Sequence, residues 1–189
     1  MITVVGIGAL GSHVVQFLRN IPECLRVIDF DRVERKNVKS QFHGKSSVGK
    51  GKVQSLQKGL QFYFGTKVEG VPHKLTSDNV EQLLGEATLV LDCLDNGEAR
   101  RLVQGYVRKH GIPCLHGALA ANGALGLVAW DEVFEIDDGA SGAATCEEGD
   151  FLPLIALTSA FMAQSVSVFL ESGKKLSFQV IPRGVPVLL

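Results

Sequence analysis

The chain has few cysteines and no surplus of charge of either sign. Its four cysteines are widely spaced and form no Cys-x-x-Cys pair: Cys24, Cys93, Cys114 and Cys146. A disulfide framework and a zinc site of the Cys-x-x-Cys type are therefore not expected, and the pattern favours a reducing cytosol. The formal net charge of -1 lacks the basic excess that dedicated nucleic-acid-binding domains carry. We expect a cytoplasmic protein without zinc and without a nucleic-acid ligand.

The sequence also lacks a clear targeting or membrane-spanning segment. Residues 1–5 have the pattern of a buried strand that runs into a glycine-rich loop, so we expect no signal peptide. The most apolar stretch, residues 151–170, contains Pro153 and several polar residues, and a charged strand-like tail follows it. This pattern favours a buried helix over a transmembrane helix, and we expect no membrane association.

The first 30 residues carry the pattern of a nucleotide-binding β-α-β unit. The loop Gly6-Ile7-Gly8-Ala9-Leu10-Gly11 lies between a predicted strand and a predicted helix over residues 12–20. Glycines allow the tight turn and close backbone approach to a phosphate, and the helix N-terminus attracts the anion. A second predicted strand, residues 25–30, contains Asp29 at roughly the offset of 20 residues typical of a ribose-binding acid. A strand-end acid facing a glycine loop has little structural purpose, so we predict a site for an adenine nucleotide or dinucleotide.

Strands and helices alternate along the rest of the chain. Further helices are predicted over residues 50–64, 78–84, 97–110 and 151–170, and further strands over 67–71, 88–93, 112–117, 126–130 and 176–181. Repeated β-α units predict an α/β fold, a doubly wound and mostly parallel Rossmann-like sheet with helices on both faces and a C-terminal antiparallel part. We expect a single domain with a nucleotide-binding core (1–130), an acidic crossover loop (131–150), and an apolar helix with a terminal strand (151–189).

Charge is segregated along the chain. Residues 32–52 contain seven lysines and arginines against one glutamate, and residues 131–150 contain eight acidic residues. Because the basic segment follows the glycine loop directly, we interpret it as a phosphate-attracting loop, with an ordinary solvated face as the alternative. The acidic segment is either part of a docking surface for a protein partner or an inert loop.

Several side chains are candidates for chemistry, each with a structural alternative. Asn37 and Lys52 bracket the basic loop and are placed to reach phosphate oxygens, although Asn37 suits a turn and Lys52 a helix surface. Asp95 follows the strand at 88–93, where a carboxylate holds Mg²⁺ against a nucleotide or caps the next helix. Cys146 lies in a loop rich in small residues, but Glu147 and Glu148 beside it disfavour the thiolate.

Other residues are interpreted as structural. Asp31 is expected to cap a loop, and Asp92 is interpreted as the structural acid of the Asp92–Asp95 pair. Cys93 and Cys114 fall in predicted strands and are expected to be buried packing residues. The histidines show no metal-ligand spacing, and His116 is expected in the core.

Five motifs occur in a fixed order that resembles the ThiF/MoeB/HesA superfamily, the bacterial relatives of ubiquitin-activating enzymes. They are GIGALGS, DFD with a downstream asparagine, VGxGK, DCLDN, and TCEEG before an apolar helix, and they span residues 2–170. The resemblance implies ATP- and Mg²⁺-dependent adenylation of the C-terminal carboxylate of a small ubiquitin-like or sulfur-carrier protein ending in Gly-Gly, with release of pyrophosphate. It also implies a homodimer.

The resemblance assigns roles by position. Gly6, Gly8 and Gly11 form the phosphate loop. Asp29 and Asp31 both contact the nucleotide, and Asp29 binds its ribose hydroxyls. Asn37 and Lys52 stabilise charge on the α-phosphate, Asp95 holds Mg²⁺, Gln41 touches the base or a phosphate, and Cys146 accepts an acyl group or sulfur.

Two departures from the family pattern leave other functions open. Ser40 stands where family members commonly carry an arginine, and the zinc-binding cysteine pairs of many relatives are absent. Lys39 cannot reproduce the bidentate contacts of a guanidinium. A non-catalytic nucleotide-binding scaffold that pairs with another subunit is therefore an alternative. An NAD-dependent oxidoreductase is a third, which rests on the glycine fingerprint alone.

Overall fold

A computed structural model describes residues 1–136, 149 and 151–182, together with the backbone of 187–188. The strands are β1 (Ile2–Val5), β2 (Leu25–Ile28), β3 (Glu69–Val71), β4 (Leu89–Asp92), β5 (Cys114–Leu119), β6 (Gly126–Trp130), β7 (Phe178–Val180) and β8 (Val187–Leu188). The α-helices are α1 (Ala9–Phe17), α2 (Lys52–Phe64), α3 (Val80–Leu84), α4 (Gly97–His110) and α5 (Leu152–Ser172). Short 3-10 helices cover Lys36–Lys39 and Lys45–Ser47.

The strands form one sheet in the order β3-β2-β1-β4-β5-β6-β7-β8. The first five of these are parallel, and β6, β7 and β8 continue the sheet in antiparallel fashion. The predicted fold class is therefore confirmed, although β8 was not predicted. The chain leaves β1 towards β2 on one side and returns to β4 on the other. This reversal opens a crevice at the carboxyl ends of β1 and β4, which is where open α/β sheets bind ligands.

Helices cover both faces of the sheet, as predicted. All residues of β1, β2 and β4 are buried, as expected for a parallel sheet that is covered on both faces. Successive residues of β1 point to opposite faces, so Val4 joins a core cluster with α1, α2 and α5, whereas Val5 joins a second cluster with α3 and α4.

The helix that follows the glycine loop starts earlier than predicted. It begins at Ala9 instead of residue 12, because Ser12 already donates its N–H to the Gly8 carbonyl oxygen at 3.1 Å. The loop thus folds directly into the first helical turn. By contrast, α4 has the predicted bounds, Gly97–His110. It is capped by the Asn96 side chain, which accepts the Ala99 N–H at 2.8 Å, and it ends at Gly111 with φ +65°.

The long apolar helix α5 packs against α1 and the antiparallel part of the sheet. Leu154, Ile155, Met162 and Val166 are buried in the main core. By length and composition alone α5 is able to span a bilayer, since its mean hydropathy is 1.6. In this structure, however, one face of the helix forms part of the protein core.

Candidate functional site

The three glycines of the loop are required for different reasons. Gly6 has φ +88°, and a Cβ there would lie 2.9 Å from the Cys93 carbonyl oxygen. A Cβ on Gly11 would lie 1.8 Å from the Gly6 carbonyl oxygen, so Gly11 allows the helix to pack against the loop. A Cβ on Gly8 would meet only the Gln41 Nε2, at 4.0 Å. The open side of the loop is therefore at Gly8, where a phosphate has room to approach the backbone.

Asp29, directly after β2, binds the glycine loop. Its Oδ2 accepts the Ile7 N–H and its Oδ1 accepts the Asp31 N–H, both at 2.7 Å. The expectation that this acid has little structural purpose was wrong, because its carboxylate holds two loop amides. Burial raises its pKa, and Lys52 and the two amide hydrogen bonds partly offset the rise. Each oxygen retains a lone pair, so both can still accept a ribose hydroxyl.

Lys52, the first residue of α2, places a buried ammonium group beside Asp29. Only 8% of the residue is exposed, which excludes an ordinary surface lysine. Its Nζ lies 2.8 Å from Asp31 Oδ2, and its N–H donates to the Asp31 carbonyl oxygen at 2.8 Å. Asp31 therefore anchors the start of α2 and pairs with the lysine, rather than merely capping its own loop.

The segment between Asp31 and Lys52 brings Asn37 and Gln41 towards the loop. Asn37 is buried, and its Oδ1 accepts the Glu34 N–H at 2.8 Å, which is the turn that the alternative interpretation predicted. Its phosphate role stays a prediction. Gln41 lies next to Gly8, and its buried Oε1 has no hydrogen-bond partner among the described residues. The same holds for the hydroxyl of Ser40. Unsatisfied buried polar atoms are rare in folded proteins and call for a partner or a functional role.

Asp95 lies in the loop after β4, at the edge of the sheet where the glycine loop lies. It is exposed and forms no hydrogen bond or ion pair with the described residues. The cap of α4 is Asn96, so the alternative of Asp95 as the helix cap was wrong. Within the described ranges no group of three or more potential metal ligands occurs. A single carboxylate together with substrate phosphates is nevertheless a common way to hold Mg²⁺ in nucleotide sites.

A buried polar network fixes the chain just before Asp95. The Arg100 guanidinium donates to Asp92 Oδ2 at 2.9 Å and to the carbonyl oxygens of Leu94 and Gly117. Asp92 also contacts His116 Nδ1 at 2.7 Å. Burial alone would raise the pKa of Asp92, but Arg100 and His116 lower it below its usual value. Asp92 is thus the structural acid of the pair, as predicted.

The cysteines that the structure describes are not nucleophiles of this site. Cys93 and Cys114 are buried in the core, and burial raises the pKa of both thiols well above its usual value. This agrees with the predicted packing role. Cys24 is exposed and lies at the amino end of β2, whereas the site lies at the carboxyl ends of the strands. Cys146, the predicted acceptor, lies outside the described residues.

Sequence reasoning missed His43, which lies beneath the glycine loop. Its Nε2 is 3.2 Å from the Ile7 carbonyl oxygen, and its Nδ1 is 3.1 Å from Ser55 Oγ. Burial lowers its pKa to about 4, and the nearby Lys52 adds to this effect. No spacing or motif in the sequence signalled a histidine at this position.

The fold and this site define the chain as a nucleotide-binding α/β domain. The glycine loop, Asp29 and the buried Lys52 lie together where the strand order of the sheet reverses. Residues 1–177 match the model of the ThiF family. The chain belongs to the ThiF family.

Named relatives and solved structures agree with this assignment. The chain is 34% identical over 124 residues to the SAMP-activating enzyme E1 of Haloferax volcanii, an alignment that covers 62% of this chain and 45% of that protein. It is 27% identical over 197 residues to the molybdopterin-synthase adenylyltransferase of Escherichia coli, covering 95% of this chain and 77% of that protein. This chain spans less than half of the length of the SAMP-activating enzyme E1.

The solved structures show the shared fold. A crystal structure of E. coli MccB with ATP superposes with a TM-score of 0.79 at 15% identity, covering all of this chain and 63% of that one. The structure of PaaA gives a TM-score of 0.73 at 19% identity, with 100% and 62% coverage. At these identities the likeness concerns the fold alone.

Proposed function

We propose that this protein adenylates the C-terminal carboxylate of a small ubiquitin-like or sulfur-carrier protein, using ATP and releasing pyrophosphate. The observation that carries the proposal is the meeting of Gly8, Asp29 and Lys52 at the carboxyl ends of β1 and β2 in a chain of the ThiF family. The names of the relatives, a SAMP-activating enzyme and a molybdopterin-synthase adenylyltransferase, support the same reaction class.

The reaction joins two anions, so its barrier is mainly electrostatic. A carboxylate oxygen of the carrier attacks the α-phosphorus of ATP, an acyl-phosphate bond forms, and the bond to the leaving pyrophosphate breaks. The carboxylate is itself the nucleophile, so no general base is needed. The cationic group of Lys52 and the amide of Asn37 are assigned to the negative charge that develops on the α-phosphate. The side chain of Gln41, whose Nε2 lies nearest to Gly8, is assigned to the polar wall of the same cleft.

ATP fits the residues that line the cleft. The space at Gly8 accepts a phosphate, and the free lone pairs of Asp29 accept ribose hydroxyls. We assign the divalent ion to Asp95, which is exposed at the same edge of the sheet. When bound there, Mg²⁺ would neutralise phosphate charge and orient the leaving group.

Further features of the proposal concern partners and location. We propose a carrier with a C-terminal Gly-Gly and a homodimeric assembly, which the family resemblance supports. Helix α5 adds support, because it leaves Leu152 and Leu157 exposed on its outer face. We place the protein in the cytoplasm, since its described cysteines are free thiols.

Carrier-dependent exchange of labelled pyrophosphate into ATP tests the proposed reaction. Exchange should occur with a Gly-Gly-ending carrier and disappear when those two residues are deleted. Lys52→Met should lower the exchange rate by roughly a hundredfold or more, as expected when a group that stabilises transition-state charge is lost. Lys50→Met is the matched control because Lys50 is exposed. Asp95→Ala should abolish exchange at every magnesium concentration tested. Absence of exchange with every Gly-Gly carrier tested would contradict the proposal.

A second candidate function is a nucleotide-binding subunit that is silent without a partner. Ser40 favours it, because the buried side chain at this position carries no charge and its hydroxyl has no partner among the described residues. This candidate predicts ATP binding by calorimetry without pyrophosphate exchange by the isolated protein. Exchange that appears only when a second ThiF-family subunit is added would favour it over the first proposal.

A further inference from the structure

His43 is a buried polar side chain at the site to which the proposed chemistry assigns no role. His43 is 6% exposed and lies between the glycine loop and helix α2. Its two ring nitrogens contact the Ile7 carbonyl oxygen and the Ser55 hydroxyl, at 3.2 and 3.1 Å. Neither contact reaches the nucleotide cleft directly, so any function of His43 acts through the loop.

The partners of His43 define which nitrogen carries the proton. A carbonyl oxygen only accepts hydrogen bonds, so Nε2 must be the donor to Ile7. Nδ1 then accepts the hydroxyl proton of Ser55. The pKa of about 4 keeps the ring neutral at physiological pH. The ring is thus held in one tautomer by α2 and presents a single N–H to the glycine loop.

That single N–H controls the direction of the next amide. In a trans peptide the carbonyl oxygen and the N–H point in opposite directions. The hydrogen bond to the Ile7 oxygen therefore turns the Gly8 N–H away from His43, towards the open side of the loop. The Ile7 N–H is held independently by Asp29 at 2.7 Å. Both backbone polar groups of Ile7 are fixed, and the Gly8 N–H has no acceptor among the described residues.

We propose that His43 is a positioning residue that aims the Gly8 N–H at a phosphate group of the bound nucleotide. The inference rests on the proposed function in that the nucleotide is ATP. In this proposal His43 affects only phosphate binding, because the ribose is assigned to Asp29, which holds the N–H of Ile7 and not its carbonyl group. Loss of His43 should therefore weaken binding of ATP and leave binding of adenosine unchanged.

Calorimetric titration of ATP and of adenosine separates these two effects. In His43→Leu, which removes both hydrogen bonds, ATP affinity should fall roughly tenfold, as expected for one hydrogen bond to a charged group. Adenosine affinity should not change. His43→Gln should restore most of the ATP affinity, because its amide nitrogen lies as far along the side chain as Nε2. His43→Asn is the matched control, since its amide is one methylene short of Ile7.

A core variant at the opposite end of the sheet controls for loss of stability. Leu84→Ala destabilises α3 near the amino ends of the strands and should leave both affinities unchanged. Equal losses for ATP and adenosine in His43→Leu, or equal ATP affinity of the Gln and Asn variants, would overturn the inference and leave the proposed function intact. If His43→Leu fails to fold, the Gln and Asn pair decides the question. Failure of the wild-type protein to bind ATP would overturn both proposals.

Discussion

Acid destabilisation of this protein should be traceable to His43. Burial, followed by the charge of Lys52, lowers its pKa from 6.5 to about 4 in the folded chain. Between these values the unfolded chain binds a proton that the folded chain does not. Stability is therefore fully present above the unfolded pKa and is lost as the pH falls towards the folded one. Between about pH 7 and about pH 5 this single group should remove about 2 kcal/mol from the free energy of unfolding.

Other titrating groups add to this profile and must be separated from it. The pKa of His13 is also lowered, chiefly by burial, so His13 acts in the same direction. The raised pKa of Asp29 acts in the opposite direction, because its folded form binds a proton more readily. The carboxyl pKa values of Asp92 and Asp131 are lowered despite burial, so their contribution is lost mainly below the His43 window. A variant at position 43 isolates the contribution of His43 to the pH dependence of stability.

Urea unfolding of the wild type and His43→Gln measures the difference. Trp130 is the only tryptophan and is 2% exposed, so its fluorescence reports the main core. The glutamine variant does not titrate and should lose about 2 kcal/mol less than the wild type over the same interval. Leu84→Ala should be less stable at every pH but parallel to the wild type. If His43→Gln declines with pH as steeply as the wild type, the assignment to His43 is refuted.

Two further predictions concern the loop and the polar network. Gly11→Ala should destabilise the fold by about 2 kcal/mol or more, because the new Cβ would lie 1.8 Å from the Gly6 carbonyl oxygen. Gly8→Ala should destabilise it by about 1 kcal/mol or less, because a Cβ there has room. Equal midpoints of urea unfolding for the two variants would contradict this prediction. Arg100→Met should cost about 3–5 kcal/mol because it leaves the Asp92 carboxylate without its cation, and adding Asp92→Asn should recover part of the loss. Additive losses in that double variant would argue against the pairing.

The parts of the fold that were predicted well carry local signals. Helix α4 has a capping residue, Asn96, and a terminating glycine, Gly111, at its two ends, so its bounds match the prediction. The buried strands β1, β2 and β4 are mostly apolar, with Thr3 and Arg26 as exceptions, and each ends at or next to a glycine or an aspartate. The start of α1 was placed too late, because the glycine motif was treated as a loop although its last residues already form the first helical turn. Strand β8 has two residues, which is too short for any periodic signal.

The site shows the same division between local and long-range information. The positions of Gly8, Asp29 and Lys52 follow from motifs, and the structure brings them to one edge of the sheet. The partners of these residues do not follow from motifs, because each contact joins distant segments. His43 lies 36 residues from the carbonyl group that it contacts and 12 from Ser55, so only the folded chain reveals it. The choice between Asp95 and Asn96 as helix cap was equally open to sequence reasoning, since both residue types cap helices well.

The ion pair between Lys52 and Asp31 has a consequence for which anions the cleft accepts. The charge of Lys52 is already paired, since the half-exposed carboxylate of Asp31 lies 2.8 Å from its Nζ. An incoming anion must compete with that carboxylate, so binding is an exchange of partners rather than a simple attraction. A singly charged ion has little advantage in such an exchange, whereas a polyphosphate brings several charges at once. We therefore expect the cleft to bind polyanions in preference to monovalent anions.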